Sequence, residues 1–344
     1  MKLQKNEIAA YLSGADDSGL YDKARFTCNA VFGSEIYLRG IIEFSNVCSK
    51  HCRYCGLRPE NTAVQRYRLS ESQIIHVAGL LPELGIGTVV LQSGDDPYYS
   101  KEMVGSIVRE IKLRYDLAVT LSLGDRSRDE YAFWKDCGAD RYLLKAEIFD
   151  TRMHALHRPG ELISERCHRI YQLKALGYET GSGIIVGLPD STIESLAEDL
   201  MQLTAMELHM IAAGPFIPHP NTPLCDAIPG NKDLSLRSLA VLRLMNPDAN
   251  IPATSALGVN DPFGRIRGLE VGANVIMPSI TPESVRKLYE IYPDKNVVKD
   301  DVTSVINHLK EDIKTAGYQP SSSKGFSPKY QIQLRSVLLD KTQT

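Results

Sequence analysis

The sequence predicts an α/β protein built as a single parallel (β/α)8 barrel of the TIM type, with a helical N-terminal extension and a C-terminal helix plus tail. Three observations predict it. Eight short apolar runs recur along the chain, helical segments with their own stop signals lie between them, and polar or glycine-rich residues follow most of the runs. The length of 344 residues would allow two domains, but α/β barrels run past about 250 residues as one unit.

Residues 1–30 read as the helical extension. The eight runs are 36–44, 87–92, 117–123, 141–145, 183–186, 209–213, 251–254 and 273–277, which places the barrel in 31–300. Among the helices between them, Ile163, Cys167, Ile170, Leu173 and Leu176 keep helical spacing and Gly177 stops the pattern. The C-terminal part, 301–344, predicts one helix over 302–315. A Ser/Lys/Pro-rich stretch, 320–329, follows and is expected to be a surface arm without a core of its own.

In such a barrel, chemistry gathers at the carboxyl ends of the strands, where the following loops converge. After the first run comes Cys48-Ser-Lys-His-Cys52-Arg-Tyr-Cys55, three thiols with no fourth nearby. A structural zinc site needs four protein ligands, whereas a centre that does chemistry keeps one position open. The triad therefore points to a 4Fe-4S cluster held through three irons, and against it stands the reading of three incidental buried thiols. Seven further strand ends carry polar or glycine-rich groups, including Gln92-Ser-Gly-Asp95, Thr120-Leu-Ser122, Lys145-Ala-Glu147 and Thr254-Ser255. Seven strand ends in register with the cysteine triad make a lined central cavity the economical explanation.

An open iron beside an aromatic residue resembles the radical S-adenosylmethionine (SAM) superfamily, in which the residue before the third cysteine, here Tyr54, lies near the adenine. SAM's amino group wants acceptors, which backbone carbonyls around Ser93, Gly94 and Asp95 could supply. Its carboxylate wants a fork of donors, for which Arg166 is the best-placed arginine. Glu147 can accept from the ribose hydroxyls and Ser122 can add a hydrogen bond.

A closer resemblance rests on Ile-Ile-Glu-Phe-Ser-Asn-Val-Cys48, Tyr54-Cys55-Gly-Leu-Arg58, Val-Leu-Gln92-Ser-Gly94-Asp-Asp-Pro97, Gly138-Ala-Asp-Arg141-Tyr-Leu-Leu, Gly214-Pro-Phe-Ile-Pro-His219-Pro and Gly272-Ala-Asn-Val-Ile-Met277-Pro. Over about residues 30–315 the chain is similar to the HydE family of FeFe-hydrogenase maturases, a branch shared with biotin synthase and methylornithine synthase. The resemblance implies that Cys48, Cys52 and Cys55 bind the cluster and that Ser122, Glu147 and Arg166 bind SAM, with Met277 beside it. It also implies that Arg39, Gln92, Thr120, Arg141, Lys145, Thr254, Ser255 and Tyr289 line the substrate cavity, a lining suited to a small anion. The chain departs from the family at the fourth strand end, where Lys145-Ala146 stands in place of Arg-His. Cysteines of an auxiliary C-terminal cluster are also lacking.

The expected function is reductive cleavage of SAM to a 5′-deoxyadenosyl radical that reacts with a small anionic substrate, as in maturation of the hydrogenase H-cluster. The alternatives are a HydE-like paralogue on another substrate, including a mutase of the methylornithine synthase kind, and a non-catalytic iron–sulfur carrier or scaffold. The partners implied are an electron donor such as ferredoxin or flavodoxin and, for a maturase, a scaffold protein. A net charge of −3 with interspersed signs, and no apolar run near the ~18 residues of a membrane span, indicate neither nucleic acid nor membrane. Seven cysteines, four of them scattered (Cys28, Cys137, Cys167 and Cys225), with no export signal, point to a reducing, anaerobic cytoplasm.

Overall fold

The computed structural model describes residues 1–259, 261–296 and 301–342. The expected boundary at 300 and the end of the tail lie outside these.

Among the described residues ten strands form, all paired in parallel. They are β1 (Glu35–Leu38), β2 (Gly40–Ser45), β3 (Thr88–Ser93), β4 (Ala118–Ser122), β5 (Arg141–Leu143), β6 (Glu179–Val186), β7 (Met210–Pro215), β8 (Pro252–Ala253), β9 (Val275–Ile276) and β10 (Gln319–Ser321). The run 36–44 is split at Arg39, because its two halves serve different sheets. One sheet has the order β10-β1-β9-β8 and the other runs β2 to β7 in sequence. Among the described residues, continuous ladders do not close them into one ring. The chain itself links them at Arg39, and single bridges join Met210 to Asn250 and Ile41 to Ser279. Parallel strands need crossovers, and helices supply them, several started by capping boxes such as Ser70 with Gln73 and Ser127 with Glu130. The helix Ile163–Ala175 buries Ile163, Ile170 and Leu173, and Gly177 ends its turn at φ +78°.

The N-terminal helices Lys5–Leu12 and Asp17–Phe32 bury Ile8, Leu12, Leu20 and Ala24. Asp17 anchors them by accepting two bonds from Arg237, at 2.6 and 2.8 Å.

The segment 320–329 is not the surface arm expected. After β10 pairs with β1, residues 322–327 cross the amino ends of the strands and bind a buried polar hub. Lys324 O accepts from Arg141 Nη2 (2.6 Å) and Thr88 Oγ1 (2.9 Å), while Gly325 O accepts from Arg39 Nη2 (3.1 Å) and Asn250 Nδ2 (2.9 Å). Ser327 N donates to Glu179 at 2.8 Å. Gly325 sits at φ +58°, and a Cβ there would fall 2.6 Å from the Tyr37 ring. A polar composition suggested solvent, but its carbonyls satisfy buried guanidinium groups that have few other partners.

Candidate functional site

The carboxyl ends of β2 to β9 surround a cavity of about 300 Å³. Its apolar wall includes Ile41, Val90, Leu143, Ile185, Ala212 and Phe216. Of the residues singled out in the sequence, it gathers Cys52, Tyr54, Cys55, Gln92, Ser122, Lys145, Glu147, Thr254, Ser255 and Met277.

The cysteine loop lies at one side. Cys48 Sγ accepts from the backbone N–H of Lys50 (3.4 Å) and of Asp95 (3.3 Å), contacts that favour a thiolate. The approach of the 93–95 turn needs Gly94, since a Cβ there would lie 2.1 Å from Val47 O and 2.8 Å from Cys48 Cβ. Burial raises the thiol pKa of Cys48, Cys52 and Cys55, and for Cys55 the charges of the other two cysteines add to the rise. Arg158 and then Arg166 act in the opposite direction on Cys52. Three thiols that repel one another's ionisation are stabilised as thiolates by a bound cation. Among the described residues, no three His, Cys, Asp or Glu side chains gather as ligands of a single ion. The donor set fits a cluster, in which each thiolate has its own iron.

Glu147 stands at φ +69°, a conformation uncommon for a residue with a Cβ and costly enough to need support. Bonds on both sides hold it, from Glu147 N to Gly183 O (2.9 Å) and from Ile185 N to Glu147 O (3.1 Å). The strained backbone presents its carboxylate to the cavity, where Lys145 Nζ lies 2.7 Å away. Ala146 is fully buried and does not line the cavity.

Several expected residues sit elsewhere. Arg166 is buried and does not line the cavity; its Nε donates to Lys145 O (2.9 Å) and its Nη1 pairs with Asp125 at 2.6 Å. Ser93 Oγ donates to Gly94 O (2.6 Å) and Ser49 N to Asp95 O (2.9 Å), so two of the three carbonyls of that turn already accept a bond. Thr120 lies two residues below Ser122 on β4, buried and outside the cavity. Tyr289 is buried beside Lys295, and the following segment supplies Ile291, Tyr292 and Lys295 to the cavity instead.

Arg39 and Arg141 require correction: neither lines the cavity. Arg141 opens β5 and Arg39 precedes β2, so both sit at the amino ends of their strands, at the opposite end of the sheet from the cysteines. Arg141 forms a fully buried ion pair with Glu179. Burial lowers the Arg39 pKa to about 9, with Arg141 adding to the effect.

Arg158, Tyr292 and Lys295 line the cavity without having stood out in the sequence. Arg158 donates to Tyr54 Oη (2.9 Å) and Glu161 (2.6 Å), and Glu161 also pairs with Lys50 beside Cys48. Lys295 pairs with Glu43, which also accepts from Ser279 (2.6 Å) and Thr281. Tyr292 shares a 2.5 Å hydrogen bond with Ser255. The Arg-Pro-Gly turn at 158–160 was the one available signal.

A sequence profile of the radical SAM superfamily matches residues 42–203. The FeFe hydrogenase maturase subunit HydE of Thermotoga maritima is 46% identical over 293 residues, covering 85% of this chain and 84% of that protein. The chain belongs to the HydE family of radical SAM enzymes. A 3-methylornithine synthase of Methanosarcina acetivorans is 28% identical over 90% of the chain and 89% of its own length. This lower identity does not favour the mutase alternative. Among solved structures, methylornithine synthase superposes with a TM-score of 0.83 at 25% identity, covering 93% of this chain and 95% of its own. The hydrogenase maturase HydG matches in fold, with a TM-score of 0.78 at 18% identity over 93% of this chain and 73% of that one. Membership of the superfamily implies a 4Fe-4S cluster and SAM. Among the described residues, no helix is long and apolar enough to cross a membrane.

Proposed function

We propose that this HydE-family enzyme cleaves SAM reductively and directs the resulting 5′-deoxyadenosyl radical onto a small anionic substrate, as in hydrogenase H-cluster maturation. The observation that carries the reading is one cavity lined by two of the triad cysteines together with Tyr54, Ser122, Glu147 and Lys145. The cluster, when bound, supplies the electron that breaks the carbon–sulfur bond of SAM.

The protein's own residues bind, orient and exclude water. Cys48, Cys52 and Cys55 are proposed to hold the cluster, with the Lys50 and Asp95 N–H groups steadying Cys48. Tyr54 offers an aromatic face for the adenine, Glu147 and Ser122 meet the ribose, and Met277 packs beside SAM. The turn at Ser93, Gly94 and Asp95 meets the amino group. Arg166 would reach the carboxylate in exchange for its bond to Asp125. Gln92, Lys145, Thr254 and Ser255 would form the substrate end, beside Lys295, which is paired with Glu43. The apolar wall keeps the radical from water. We read the two parallel sheets as arcs of one (β/α)8 barrel, because the Met210 and Ile41 bridges sit where the ladders would join. Ferredoxin or flavodoxin as reductant and a maturation scaffold as recipient complete the proposal.

The test is anaerobic reconstitution followed by SAM titration under electron paramagnetic resonance, with 5′-deoxyadenosine measured after reduction. A SAM-shifted cluster signal and product formation are expected. A loaded cluster that ignores SAM would favour the carrier reading.

A further inference from the structure

We propose that Lys145 and Glu147 form an internal lock that couples SAM binding to anion binding: SAM draws on Glu147, and the released Lys145 ammonium becomes the receptor for the substrate's anionic group. The inference rests on Glu147 as the acceptor for the SAM ribose, as proposed above.

The pair spans 2.7 Å, and both residues line the cavity. Glu147 cannot turn away easily, because its backbone is fixed at φ +69° by bonds to Gly183 and Ile185. Lys145 is the movable partner, on a flexible stem and 31% exposed. The other cavity cations are committed elsewhere, Lys295 to Glu43 and Arg158 to Glu161 and Tyr54. A ribose hydroxyl that donates to Glu147 shares its lone pairs and weakens its hold on the ammonium. In a cavity whose wall includes Ile41, Val90, Leu143 and Ile185, an ammonium without a partner is costly. A small anion restores the balance. By linkage, the anion then tightens SAM by the same factor that SAM tightens the anion. Radical formation would thereby be favoured only when substrate is in place.

Iodide serves as the probe anion, with a bulky organic sulfonate holding ionic strength constant, and isothermal titration of the cluster-loaded, unreduced enzyme gives SAM affinity with and without it. SAM is expected to bind about tenfold tighter with saturating iodide, and iodide tighter by the same factor with SAM. Lys145→Met should bind SAM alone more tightly than the native enzyme, because Glu147 is then free, and should lose the iodide effect. Lys145→Arg should keep it. A Lys145→Gln variant repeats the comparison without a purely apolar side chain, and cluster absorbance checks the loading of each. SAM binding weakened by both neutral variants, or an iodide effect that survives in them, would overturn the lock. Failure of the underlying site reading has a different signature: Glu147→Gln would leave SAM affinity at the native value.

Discussion

Replacing Arg141 by methionine tests the buried hub beneath the cavity. In the native chain its Nε meets Glu179, its Nη1 donates to Thr88 Oγ1 at 3.1 Å, and its Nη2 donates to Lys324 O at 2.6 Å. Both members of the ion pair are wholly buried. Without the guanidinium, Glu179 retains Ser327 N at 2.8 Å and Asn250 Nδ2 at 3.3 Å but has no paired charge. Breaking one side of such a pair costs about 3 to 5 kcal/mol, a large share of a net stability on the order of 5 to 15 kcal/mol. At roughly 2 °C per kcal/mol for a long chain, the melting temperature should fall by roughly 6 to 10 °C. Replacing both partners, Arg141→Met with Glu179→Leu, should recover much of the loss, because no charge is left stranded. Differential scanning calorimetry measures the loss, and hydrogen exchange at 319–327 reports whether the segment is released. A single variant that melts within a degree of the native protein, with unchanged exchange there, would refute the account of this segment as clamped by the hub.

Cys52→Ser should abolish cluster loading and SAM cleavage, measured by absorbance and 5′-deoxyadenosine, whereas Cys137→Ser, distant from the site, should leave both intact. Gly94→Ala should impair cluster loading, since its Cβ would press on Val47 O at 2.1 Å; full loading would remove the close-approach argument. Burial raises Asp199 to about 7, with its N–H partner Phe149 and neighbours Asp150 and Glu198 acting in opposite senses. An acid whose folded pKa is raised contributes stability present below its unfolded value and lost as pH rises through 7. Asp199→Asn should therefore raise the melting temperature at pH 8 and lose that advantage towards pH 4. In a hydrogenase maturation assay the native chain is expected to replace HydE. Lys145→Arg should act alone, because Ala146 faces the packed core, and Ala146→His should chiefly destabilise.

The sequence by itself determined the radical SAM family and most of the strands. The cysteine triad, Tyr54, the glycine that lets the 93–95 turn approach it, and Glu147 after an apolar run are local patterns, and local patterns survive folding because spacing fixes which residues share a loop or a face. Apolar runs and capping residues likewise marked the helix Ile163–Ala175 and every described strand except β10, the first run covering both β1 and β2. Tertiary structure decided what depended on register between distant segments. Strand polarity put Arg39 and Arg141 at the amino ends, away from the cysteines, although the same runs carry cavity residues further along. Glu179, thirty-eight residues from Arg141, gave that arginine its partner. Carbonyls of Lys324 and Gly325 turned a polar stretch into a buried strap, and Lys295 met Glu43 across 252 residues. A buried charge takes whichever partner the fold brings within reach, and no periodicity in the sequence records that choice.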